Sequence, residues 1–137
     1  MEIIGGTPDP RVQEAAVPSR CEGSVRFQEL PTPFLDGSGV SLVQFAPGGR
    51  TRPRVSSSGL LLHVVTGEAV VAGPGTRVVV GPGDTVAVPA GEWHWHGALP
   101  HAAAVLLVIA RPGDVSWAVA AGDWAVGYGP AGPIGRT

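Results

Sequence analysis

Two histidines one residue apart carry the first chemical signal in the chain, in the run Trp93-His94-Trp95-His96. In an extended strand alternate residues share a face. His94 and His96 therefore point one way, and Trp93 and Trp95 the other. Imidazoles titrate near neutrality, so a pair on one face suits proton transfer. Without a carboxylate beside them, two imidazoles make only a weak metal site. The remaining histidines read differently. His63 alternates with Leu60, Leu62 and Val64, which are expected to face a core, so His63 is expected to point outward. His101 lies in the loop Leu99-Pro100-His101. Ser56, Ser57 and Ser58 read as a loop, and no acid stands in a defined relation to them that would build a nucleophilic triad. Asp84 and Glu92 fall in turns and are expected to be solvated. Cys21 is the one cysteine, so neither an internal disulfide nor a cysteine metal cluster can form, and its thiol is expected to be inert. There is no lysine, which excludes Schiff-base and phosphate-loop lysine chemistry.

The elements that must position these residues are short. From Ser24 onward, apolar runs rich in Val and Leu recur, each bounded by Gly, Pro or Asp. This pattern predicts strands near 24–30, 40–46, 50–55, 60–65, 69–72, 77–80, 85–88, 93–96 and 103–110. Turns are expected at Pro47-Gly48-Gly49, Thr66-Gly67-Glu68, Gly73-Pro74-Gly75 and Gly81-Pro82-Gly83-Asp84. Many short strands with regular turns indicate an all-β sandwich or barrel. The 21 Gly and 14 Pro disfavour long helices there. One short helix is expected over Val115–Val126, with Asp114 as its N-cap. The 137 residues suit one domain, with an N-terminal arm over 1–23, a core over about 24–112 and a C-terminal tail over 113–137.

Composition narrows the partners. With 44% hydrophobic and 15% charged residues, the chain is compact rather than disordered. A net charge of −2 steers it toward neither nucleic acid nor an anionic membrane. The N-terminus carries no signal-peptide pattern and no apolar run is long enough to span a bilayer, so a cytoplasmic location is expected.

The segment Gly83-Asp84-Thr85-Val86-Ala87-Val88-Pro89-Ala90-Gly91-Glu92-Trp93-His94 has the form G-x5-P-x-G-x2-H. It resembles the second conserved motif of the cupin superfamily. Upstream, Pro47-Gly48-Gly49-Arg50-Thr51 and Leu62-His63-Val64-Val65-Thr66-Gly67-Glu68 are similar to the frame of the first cupin motif. The resemblance covers roughly 24–112 and is strongest to small single-domain cupins of hydroxynitrile lyase-like, quercetinase-like and polyketide cyclase-like kinds. It implies a jelly-roll β-barrel, a small-molecule substrate and a homodimer.

The first motif departs from that pattern. Family members carry H-x-H and then Gln or Glu; here the matching positions are Arg54, Ser56 and Leu60, while the fourth ligand position, His94, is kept. One histidine of four cannot hold a divalent ion tightly, and a guanidinium repels one. The expectation is therefore no metal and no cofactor. By parity the barrel interior should be lined by Ser41, Val43, Phe45, Arg54, Ser56, Leu60, Leu62, His94, His96, Leu106, Val108 and Ala110. Arg50, Arg52 and Arg54 are expected to share one face. In this reading Arg54, His94 and His96 are catalytic. Ser41, Val43, Phe45, Ser56, Leu60, Leu62, Leu106 and Val108 bind substrate. Arg54 puts a fixed positive charge near the usual metal position, where it can bind a carboxylate or stabilise an enolate.

Three functions follow from the resemblance. The first is a metal-independent cyclase, isomerase or lyase of bacterial secondary metabolism, acting on a polyketide-like or carbonyl substrate. The second is a metal-dependent lyase or dioxygenase using His94 and His96. The third is a ligand-binding protein without catalysis. Bland roles compete at each residue: Arg54 pairing with a surface carboxylate, and His94 making a core hydrogen bond.

Overall fold

A computed structural model describes residues 1, 13–14, 20–32 and 36–117. Among these the chain is all β. In order come β1 (Gln13–Glu14), β2 (Cys21–Glu22), β3 (Val25–Leu30), β4 (Gly39–Phe45), β5 (Arg50–Thr51), β6 (Arg54–Ser56) and β7 (Leu60–Gly67). There follow β8 (Ala69–Gly73), β9 (Thr76–Val80), β10 (Thr85–Val88), β11 (Trp93–Ala98), β12 (Ala104–Ala110) and β13 (Val115–Ser116). One sheet has the order β1-β3-β4-β12-β7-β10. The other runs β13-β6-β11-β5-β2, with β8 on the far edge of β11 and β9 beside β8. All the pairings are antiparallel, and the two curled sheets form a jelly-roll barrel.

The alternation in β7 shows why the sheets close on each other. Leu60, Leu62 and Val64 are buried, while Leu61 and Val65 are exposed. Val43, Phe45, Leu106 and Val108 face them from β4 and β12 and complete the main core. Register then fixes depth along the barrel. At one end Ala104 lies opposite Phe45; at the other Ala110 lies opposite Gly39 and Leu60. At the aromatic end Phe45 and Ala104 are buried in the core. The Gly39 end, where one partner has no side chain, stays open.

The expected strand over 50–55 is broken. Both β5 and β6 lie along one edge of β11, with Arg50 opposite Gly97 and Arg54 opposite His94. Three steps along β11 thus match four steps from Arg50 to Arg54. One extra residue at Arg52-Pro53 makes a bulge, and a one-residue offset reverses which face each side chain takes. The expectation that Arg50 and Arg54 share a face is therefore corrected. Arg50 lies against Trp95 on the outer side, with its guanidinium 5.7 Å from the ring centroid, and pairs with Glu22 at 3.0 Å. Gly97 is required opposite it, because a Cβ there would collide with the Arg50 backbone and Cβ. Thr51 and Arg54 face inward.

The ends of the chain also differ from expectation. Part of the predicted arm is strand: β1 pairs with β3, and β2 with β5. Cys21 is buried in the core instead of lying in a loop. The predicted helix over Val115–Val126 does not begin at Asp114. Val115 and Ser116 form β13 on the free edge of β6, whose backbone groups offer partners that a helix would forgo. Residues 118–126 lie outside the described residues.

Candidate functional site

A cavity of about 340 Å³ opens at the Gly39 end of the barrel. Its wall includes Phe27, Ser41, Val43, Thr51, Arg54, Ser56, Leu60, His96, Val108 and Ala110, and its rim Arg111, Pro112, Gly113 and Val115. Of the residues expected to line it, Ser41, Val43, Arg54, Ser56, Leu60, His96, Val108 and Ala110 do so. Phe45, Leu62 and Leu106 do not. They point inward as parity requires, but they lie deeper and are spent on the core. His94 also contributes no surface to the cavity. It lies behind the wall, 1% exposed, with its ring stacked on His96 at 5.3 Å between centroids and 1° between planes. Sequence reading missed Thr51, Phe27 and the rim.

Local sequence explains the placement of the polar groups. Pro89 and Gly91 make the turn before β11, with Gly91 at φ 80° and its N–H donating to the Ser56 carbonyl at 2.9 Å. That bond docks the end of β6 against the start of β11. Gly59 sits at φ 75°, where a Cβ would lie 2.8 Å from the Val88 carbonyl. These contacts hold Arg54 and His94 as a cross-strand pair on the inner face. Thr51, one residue past the outward Arg50 in β5, accepts the His96 backbone N–H at 3.1 Å. Phe45 closes the other side of His96, edge-on at 5.6 Å.

Arg54 is half-buried, and its guanidinium carbon lies 5.3 Å from the centre of the Trp117 ring. Arg20 lies over the same ring at 5.7 Å. Arg54 Nε is buried with no hydrogen-bond partner. Burial lowers its pKa, opposed by Cys21, but a guanidinium remains a cation. Among the described residues no carboxylate pairs with Arg54.

Both imidazoles are neutral at physiological pH. Burial, and then the charge of Arg54, push His94 down to about 3. His96 is held well below 6.5 by burial, Arg54 and His94, in that order. The expectation that they titrate near neutrality is thus corrected. Neither His94 ring nitrogen has a hydrogen-bond partner, nor does His96 Nδ1, so the core-hydrogen-bond role for His94 is not met. His63 points outward as expected, with Nδ1 2.7 Å from Thr85 Oγ1. The Cys21 thiol is pushed up by burial, against the pull of Arg54, Arg20 and Arg52.

The serine triplet is more than a loop. Ser57 N–H donates to the Asp114 carbonyl at 2.9 Å, and Ser57 Oγ accepts the Asp114 N–H at 2.8 Å. Ser58 Oγ donates to the Arg111 carbonyl at 3.1 Å. Together they clip the segment 111–114 along the cavity rim.

This architecture and site define a cupin, and the chain belongs to that family: the Cupin domain matches residues 41–110, just over half of it. No curated protein matches the sequence. Among solved structures, a cupin-like protein from Thermotoga maritima is similar at 26% identity, covering 80% of this chain and 88% of its own, with a TM-score of 0.70. The polyketide cyclase RemF from Streptomyces resistomycificus is similar at 26% identity, covering 90% and 89%, with a TM-score of 0.67. A predicted oxalate decarboxylase from Thermotoga maritima shares the fold at 16% identity, covering 72% and 89%, with a TM-score of 0.65.

The divalent metal that the cupin pattern implies does not fit the residues present. Arg54, Ser56 and Leu60 occupy three of its ligand positions, and the Arg54 cation lies directly across from the remaining histidine. Among the described residues, no group of three or more His, Cys, Asp or Glu could hold a metal ion. No described helix is long and apolar enough to cross a membrane.

Proposed function

We propose that the chain is a metal-independent cytoplasmic enzyme, a cyclase, isomerase or lyase that acts on a carbonyl or polyketide-like substrate inside the barrel. The observation that carries this reading is the Arg54 guanidinium, facing the cavity across from His94 where the family pattern has metal ligands. The likeness to a polyketide cyclase over 90% of the chain supports the substrate class.

The chemistry follows from the charges. A C–H bond next to a carbonyl breaks, its electron pair moves to the carbonyl oxygen, and the Arg54 cation beside it stabilises the developing enolate charge. His96 is the side chain placed to take the proton. An enolate beside it stabilises the imidazolium by ion pairing, which opposes both the burial and the Arg54 charge that lower its basicity. The proton then returns from His96 to a different carbon, or the enolate carbon attacks a second carbonyl to close a ring and the alkoxide so formed takes the proton from His96. Apolar walls at Val43, Leu60 and Val108 hold the chain folded, which lowers the barrier by proximity.

Deuterium exchange at the α-carbon of aryl 1,3-diketones, followed by NMR in EDTA, tests the reading. Exchange above the uncatalysed rate is expected in EDTA, falling more than tenfold, about 1.4 kcal/mol, in R54A. Exchange abolished by EDTA, or unchanged in R54A, contradicts it.

A further inference from the structure

We infer that the cavity is an acid-binding site: its ligand enters as a monoanion, an apolar body carrying one carboxylate, with that carboxylate seated on Arg54. The inference rests on the proposed reading only in taking the bound acid for a substrate.

Charge balance in the cavity carries it. Among the described residues its lining holds two arginines, Arg54 in the wall and Arg111 at the rim, and no aspartate or glutamate, although the whole chain has a net charge of −2. Buried cations are normally paired, because a lone charge is poorly solvated by protein. Arg54 is half-buried, its Nε has no hydrogen-bond partner, and its guanidinium lies over the Trp117 ring, which supplies no counter-charge. The imidazoles add no negative charge and stay neutral. A carboxylate matches a guanidinium through two parallel hydrogen bonds, and Thr51, Ser56 and Ser41 supply further hydroxyls around it. The rest of the wall, Phe27, Val43, Leu60 and Val108, is apolar and suits a hydrocarbon body. At about 340 Å³ the cavity is at the small end of ligand sites, which run from about 300 to 1,000 Å³.

Calorimetric titration with 2-naphthoate and with its neutral counterpart 2-naphthalenemethanol, at pH 7 and low ionic strength, tests the inference. Naphthoate should bind at least tenfold tighter than the alcohol. R54Q should remove the preference and R111Q should keep most of it. Equal affinities, no naphthoate binding, or a preference that survives R54Q would overturn the inference. So would loss of the preference in R111Q, which would put the charge at the rim. Should R54Q fail to fold, the wild-type comparison and R54K, which keeps the charge and should keep a weaker preference, decide. Naphthoate has no exchangeable α-proton, so the titration reads binding alone. A clear preference without diketone exchange upholds the acid site and removes the catalytic reading; exchange in EDTA without a preference does the reverse.

Discussion

At the scale of single residues, Arg54 sets the electrostatics and two neutral imidazoles respond to it. This has a measurable cost in acid. Each imidazole has a folded-state pKa below its unfolded value near 6.5, so the unfolded chain binds more protons as pH falls below 6.5. Stability must therefore drop on acidification, by about 2 kcal/mol for each unprotonated imidazole between pH 7 and pH 5. Urea unfolding at the two pH values should show this loss, and H96Q should show a smaller one. An equal loss in H96Q would contradict the buried neutral state. Sequence parity was enough to place His94 and His96 on one inward face. It could not give their protonation, which depends on burial beneath strands distant in sequence. Nor could it separate His96 in the cavity wall from His94 behind it.

At the scale of elements, the bulge at Arg52-Pro53 is the device that turns Arg54 inward. Strand positions and turns were legible from Val and Leu runs bounded by Gly and Pro, and nearly every predicted strand is present to within a few residues. The bulge was not legible, because its cause is the register against β11, over forty residues away in sequence. Depth was not legible either: parity names the face of Phe45, Leu62 and Leu106 but not how far the core fills the barrel. Because Arg54 faces His94 in register and Ser56 and Leu60 line the same cavity, the original ligand geometry should be recoverable. R54H/S56H/L60Q is expected to bind one equivalent of a divalent metal after dialysis, read by elemental analysis. A folded triple variant that binds none would show that these positions do not converge. The rim clip is separately testable. S57A/S58A removes two side-chain hydrogen bonds and should cost roughly 1 kcal/mol in urea unfolding. No change would mean that solvent replaces the clip fully.

At the scale of the whole molecule, the cavity lies at the Gly39 end of the barrel, while the outer face of the β4–β12–β7 sheet carries exposed apolar side chains. Leu61 and Ile109 are cross-strand neighbours, 41% and 37% exposed, beside Val40. We propose that a second copy covers this face. Light scattering should give a dimer mass for the wild type and a monomer mass for L61D/I109D; a monomeric wild type contradicts the pairing. A fixed guanidinium stands where the family pattern has metal ligands, so the folded protein should need no metal. Elemental analysis of protein purified without chelators tests this most directly. Well below one equivalent of manganese, iron, nickel and zinc per chain is expected. One equivalent of any of them, lost in H94A, would contradict it.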